Sequence, residues 1–432
     1  MFSVHKLFKS FKVIYISKRA IVLGIVVVFI CIAALLLINR AMSSISTNVS
    51  TIATTSGDEY VILAANDLGM HCIQHDYSTF LVLPPANNLR VQVFKKGGRD
   101  GATLIKSGIT IKYEIIDNTT SSNKLNFWQY AKDYGYNIAD DVGITGNKLS
   151  GEMVLSSDKK YYEATAIPVT PYNDSDPKKF NAYQLAKITV LDKKTNKPIA
   201  ISDSVVVPVS DEMMCSACHG ETDTDLSILK SHDQLSGTTL VQDFKNNIRH
   251  KCADCHKDNA LGEKGKEGVK PLSEAMHGFH QSKMELTNIQ PKCSVCHPGP
   301  NTQCNRGVMK KAGITCDNSK CHGTMGNVAA TQKNGREAWL QEPDCGNCHG
   351  QEYASNTNTL YKNSYLQNAP DEEMNNKIRC QSCHNSTHAE WPSTLPIDNA
   401  LPQSLLGYAN YIDKCTVCHE GEGKVHTNTN SH

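Results

Sequence analysis

Neither sign of charge predominates: 44 Lys and Arg stand against 43 Asp and Glu, a formal net charge of +1. That balance excludes a generally basic nucleic-acid binder and an acidic tail protein. Aromatic residues are scarce, 7% of 432, and the mean hydropathy is negative. A chain long enough for two or three domains is thus short of material for a core made of side chains alone. Long apolar runs are lacking too, with one exception. Residues 20–38 are uniformly apolar or small, and at about 1.5 Å per residue they would reach roughly 28 Å, the depth of a hydrocarbon core.

That run is expected to be a single transmembrane helix. Lys6, Lys9, Lys12, Lys18 and Arg19 precede it with no acidic residue among them, so residues 1–19 form a basic cytoplasmic segment by the positive-inside rule. The expected location is the cytoplasmic (inner) membrane, single-pass, with the main domains periplasmic or extracellular. Cys31 is then a membrane-facing thiol. Residues 39–57, rich in Ser and Thr, read as a tether.

Residues 58–210 carry a period of two. Ile109, Ile111, Tyr113 and Ile115 alternate with Thr110, Lys112 and Glu114, and further strands are expected at 60–65, 79–83, 148–155, 161–169, 185–191 and 204–209. Turn residues separate these strands, which suggests an all-β sandwich-like domain. Beyond Met213 the alternation stops. Residues 211–432 show short helical stretches, at 226–232, 240–247 and 273–280, between knots of cysteine.

Cysteine and histidine are what the chain has in quantity, 17 of each. Six segments read C-x-x-C-H: Cys215, Cys218, His219; Cys252, Cys255, His256; Cys293, Cys296, His297; Cys345, Cys348, His349; Cys380, Cys383, His384; and Cys415, Cys418, His419. A seventh, Cys316, Cys321, His322, has four residues between its thiols. Haem c attachment needs two thiols to add to the vinyl groups and an imidazole next in sequence beneath the iron. Zinc knuckles or a dithiol relay would not require His after every second Cys. The expectation is seven covalent haems c, with their rings forming much of the core of a C-terminal domain of short helices and loops.

A second axial ligand decides between conduction and catalysis. His232, His250, His277, His280, His388 and His426 lie between or just after the motifs, and His71, His75 or His432 could serve the seventh iron. Irons with histidine on both faces exchange electrons readily and leave no position for substrate. Met276, Met284, Met309 and Met325 could ligate one site or pack on ring faces. Cys72 and Cys304 belong to no motif; a disulfide between them would pin the strand domain to the C-terminal one. His71, Cys72 and His75 with Asp67 or Asp76 could instead bind a small metal ion.

The seven motifs resemble those of multihaem cytochromes c, here a heptahaem form. The arrangement is similar to the exported or membrane-anchored cytochromes of anaerobic metal-respiring bacteria, which pair a β-rich domain with a haem-rich one. That resemblance implies electron transfer between membrane or periplasmic donors, quinol-linked donors among them, and periplasmic or extracellular acceptors, other cytochromes included. A multihaem reductase of nitrogen or sulfur oxyanions and a haem-stacked filament subunit are the alternatives; no C-x-x-C-K motif is present for the first. Without the five basic residues before position 20 the chain is slightly acidic, so redox proteins with a cationic patch are expected partners and nucleic acid is not.

Overall fold

The period of two becomes two five-stranded sheets in the computed structural model. It describes residues 59–97, 101–286, 288, 290, 292–299, 301–341, 343, 345–350, 352, 354–355, 365–367, 376–390 and 393–420. The strands are β1 (Tyr60–Asn66), β2 (His71–Cys72), β3 (Phe80–Leu81), β4 (Leu89–Lys95), β5 (Thr103–Leu104), β6 (Ile109–Ile116), β7 (Ser150–Glu152), β8 (Val154–Leu155), β9 (Tyr162–Ala164), β10 (Tyr183–Asp192) and β11 (Pro198–Ser210). One sheet runs β1-β4-β9-β8 with β5 added to β4; the other runs β2-β11-β10-β6-β7. Neighbours in the second sheet are antiparallel, as β6 and β10 are, whereas β2 lies parallel to β11.

On β6 the side chains of Ile111, Tyr113 and Ile115 are buried while Lys112 and Glu114 are exposed. Their partners across the ladder are Val190, Ile188 and Ala186 of β10. One apolar core joins these residues to Ile62, Val91 and Val93 of the first sheet and Val207 of β11. Each such buried aliphatic side chain contributes about 1.5–3 kcal/mol.

β1 and β4 behave differently, being buried on both faces along nearly their whole length. Their second face is covered by the C-terminal part of the chain: Val61, Leu63 and Phe94 pack with Leu406 and Val417. Polar groups follow the same course. The amide of Gln92 on β4 donates to the Lys377 carbonyl at 2.6 Å, while its oxygen accepts from the Arg379 N–H at 3.1 Å and from Ser382 Oγ at 2.7 Å.

This packing corrects the expected division into an all-β sandwich-like domain and a separate haem-packed domain. Residues 54–432 form one compact unit, a mixed α/β arrangement in which the helix Ala400–Leu406 packs against β11 and the helix Cys380–His384 against β1. The membrane expectation is corrected as well: among the described residues no helix is long and apolar enough to cross a membrane. Residues 1–19, 20–38 and 39–57 lie outside the described residues, so single-pass anchoring in an inner membrane has no support in the structure.

One ion pair of the strand region makes stability depend on acid. Burial alone would raise the Asp174 pKa, but donors from Lys124 Nζ at 2.6 Å, the Thr119 N–H at 2.7 Å and Thr119 Oγ1 at 2.8 Å outweigh it and hold the carboxyl down at about 2. The stabilisation is present above the ordinary value of 3.8 and is lost as pH falls through about 2. Asp174→Asn should therefore cost about 1–2 kcal/mol at neutral pH. In urea melts across pH, its deficit against wild type should close below about pH 4.

Candidate cofactor site

Six of the motifs are built on one turn of α- or 3-10 helix. In four of them the His amide donates to the carbonyl of the first Cys: His219 to Cys215 at 3.0 Å, and His256 to Cys252, His297 to Cys293 and His419 to Cys415 at 2.9 Å. A single turn puts residues i and i+3 on one face, so the two thiols of each of these six pairs face the same way with the imidazole one turn on. In the expanded segment Asn318 takes up the two extra residues, its carbonyl accepting from the N–H groups of Cys321 and Gly323. The Cys345–His349 and Cys380–His384 segments are single-turn helices throughout.

Three motif histidines face a second imidazole. Ring centres lie 6.2 Å apart for His232 and His256, 6.0 Å for His277 and His297, and 6.2 Å for His322 and His388. Two imidazoles on opposite sides of one metal, each nitrogen about 2 Å from it and each ring centre about 1 Å further, have their centres about 6 Å apart. A fourth approach brings His280 near His219, whose pKa is lowered by burial and then by that neighbour.

The other ring nitrogens fix the tautomers. Carbonyl oxygens can only accept, so His256 Nδ1 carries the proton it donates to the Lys270 carbonyl at 2.7 Å. The same holds for His277 Nδ1 on the Ser273 carbonyl at 2.7 Å and His280 Nδ1 on the Met276 carbonyl at 2.8 Å. Thr238 Oγ1 spends its own hydrogen on Asp233, at 2.6 Å, and so accepts from His232 Nδ1 at 2.9 Å. In all four residues the lone pair is left on Nε2, the state of a metal-ligating histidine held by an outer hydrogen bond. His277 and His280 are spaced i, i+3 on the helix Leu272–His280, so one element presents both. Burial, with His322 nearby, pushes His388 down to about 3 and keeps it neutral.

Other expected ligands are placed elsewhere. His71 Nε2 meets Asp67 Oδ1 at 2.9 Å in a buried setting, and His250 Nε2 meets Asp243 Oδ2 at 3.1 Å. His75 bonds through Nδ1 to Asp211 Oδ2 at 2.7 Å, with Tyr172 Oη on the same oxygen at 2.6 Å. His426 and His432 lie outside the described residues. His384 packs against the ring of Tyr411, centres 5.3 Å apart. Sequence reading gave Tyr411 no role, and its four-residue separation from Cys415 is the signal that could have marked it.

Seven haems capped on both sides by histidine are thus not what the structure assembles, and that expectation is corrected. Among the described residues no group of three or more His, Cys, Asp or Glu could hold a metal ion; the metal site weighed at His71, Cys72 and His75 falls with it. Carboxylates occupy Nε2 of both His71 and His250. What the structure brings together is pairs. A bare ion needs three or four protein donors, whereas a metal already held in a planar ring of four donors needs two.

The thiols of different segments also meet. Cys293 donates to Cys316, which raises the first and holds the second at about 7. Cys380 donates to Cys345. The motif segments at Cys293 and Cys316, and those at Cys345 and Cys380, therefore lie against one another.

No family model, no curated protein and no solved structure matches this chain. The resemblance to multihaem cytochromes c, carried by the motifs, is corrected by the mixed α/β fold and by the lack, among the described residues, of a metal-holding cluster and of a membrane-spanning helix; the chain is assigned to no family.

Proposed function

We propose that the paired cysteines and the histidines of residues 215–419 form the chain's cofactor-binding region, and that its partner is another redox protein. The carrying observation is the set of three histidine pairs about 6 Å apart, in which His232, His256 and His277 have their Nδ1 protons engaged by the protein. The cysteine pairs at Cys215 and Cys218, Cys252 and Cys255, Cys293 and Cys296, Cys316 and Cys321, Cys345 and Cys348, Cys380 and Cys383, and Cys415 and Cys418 are the attachment points. His219, His256, His297, His322, His349, His384 and His419 are the ligands that follow them. His232, His277, His280 and His388 are the opposing ligands.

The chain's own residues orient the imidazoles: the Ser273, Met276 and Lys270 carbonyls and Thr238 Oγ1 hold Nδ1–H and turn Nε2 outward. A slight acidic excess beyond residue 19 favours a partner with a cationic patch.

The test is the metal content and visible absorption of full-length variants. His277→Ala and His232→Ala should each change the spectrum or lower the bound metal, whereas His250→Ala and His71→Ala should leave both unchanged. Equal effects of all four substitutions would contradict the assignment.

A further inference from the structure

Cys72 and Cys304 lie outside every paired-cysteine motif, and the fold brings their backbones together from positions more than 230 residues apart. Cys72, on β2, pairs in register with Ser210 of β11. Ser210 Oγ in turn bonds Thr302 Oγ1 at 2.8 Å, two residues before Cys304. On the other flank the Arg306 guanidinium donates to the Cys304 carbonyl at 2.6 Å and to the Gly69 carbonyl. Hydrogen bonds on both sides of each cysteine thus hold the two backbones side by side. Cys304 is near enough to raise the cost of ionising Cys72, and both thiols are half-buried and free.

We propose that Cys72 and Cys304 are joined by a disulfide as the chain folds, tying β2 to the segment that carries Cys304. The oxidant is a disulfide-bearing redox protein or small disulfide. A thiolate attacks it to give a mixed disulfide, and the second cysteine displaces the remaining thiol. One S–S bond breaks and one forms; the two electrons and two protons from Cys72 and Cys304 leave as two thiols of the oxidant. Burial then pushes both thiols above their ordinary range, Cys304 to about 11. In the finished fold each cysteine is therefore a poor leaving thiolate when an external thiol attacks the bond.

A consequence rests on the cofactor reading above. Cys304 Sγ lies 3.7 Å from His388 Nδ1. A thiol there can donate to Nδ1 and move the ring proton to Nε2. A disulfide sulfur can only accept, which keeps the proton on Nδ1 and the lone pair on Nε2, facing His322.

The experiment maps thiols in the full chain purified in a buffer of reduced and oxidised glutathione, quenched with acid, unfolded, alkylated without reduction and digested. One peptide pair linking Cys72 to Cys304 is the expected product. Recovery of both residues alkylated, or of either linked to a motif cysteine, would overturn the proposal. As a second readout, reductant should lower the thermal midpoint of the wild type by about 5 °C, because the bond closes a loop of roughly 230 residues. It should leave the Cys72→Ser, Cys304→Ser double variant unmoved; an equal shift in both would contradict the tie. Neither readout depends on a bound cofactor, so failure here is separable from failure of the cofactor reading.

Discussion

Replacing Arg306 with alanine should destabilise the protein by about 3–5 kcal/mol, the cost of leaving a buried charge without its partner. Arg306 is fully buried, and its Nε and Nη2 both reach the carboxylate of Asp398, itself 5% exposed. The same guanidinium serves the carbonyls of Gly69 and Cys304 and lies 5.3 Å from the ring centre of Tyr183. Truncation strands a carboxylate and two carbonyls at once, at the place where the loop after β1 meets residues 302–306 and 398. The Arg306→Ala, Asp398→Ala double variant should lose clearly less than the sum of the single losses, since each single change leaves the other group unpaired. Additive losses in urea melts would mean the pair does not act as a unit.

Gly69→Ala should cost a comparable amount, about 3 kcal/mol or more, by a different route. The residue sits at φ +83°, a left-handed conformation, and a Cβ placed there would stand 1.6 Å from the Thr387 carbonyl oxygen. Neither partner can yield, because Gly69 holds Arg306 through its own carbonyl and Thr387 sits beside His388. Gly108 is the control: at φ +77° a Cβ there has nothing within 4 Å. Gly108→Ala should show only the conformational cost, about 1 kcal/mol. If the two variants melt together, the close approach of residues 69 and 387 is wrong.

Both predictions concern the join between the sheets and the C-terminal segments, and this join was the least legible part of the fold. β6 and β10 announce themselves, since Ile111, Tyr113 and Ile115 alternate with charged residues and one face of that sheet meets solvent. β1 carries the opposite signal. Val61, Ile62, Leu63 and Ala64 are consecutive apolar residues, the mark of a strand covered on both faces. Read that way, the strand calls for a second layer, which Leu406 and Val417 provide from more than 300 residues away. Pairings at such separation leave no local trace in sequence.

The candidate site divides along a similar line. Thiol spacing is local, so the attachment segments and the single turn that shapes them could be read directly. Which histidines oppose them could be read only in part. His232, His277, His280 and His388 were chosen for their positions between motifs, and each sits near a motif histidine. Asp67, four residues earlier, claims His71 Nε2, and Asp243, seven residues back, folds onto His250 across a helix end. A carbonyl that anchors Nδ1 has no signature in sequence.

The claim at the centre of this account is that the cysteine pairs hold a cofactor between imidazoles. Intact-mass measurement of the full-length protein under denaturing, reducing conditions, with every accessible thiol alkylated, tests it most directly. The account predicts a mass above that of the alkylated chain by whole multiples of one cofactor, with two thiols withheld from alkylation for each. A chain whose motif thiols all accept the alkylating agent, at the mass of bare polypeptide, would contradict it.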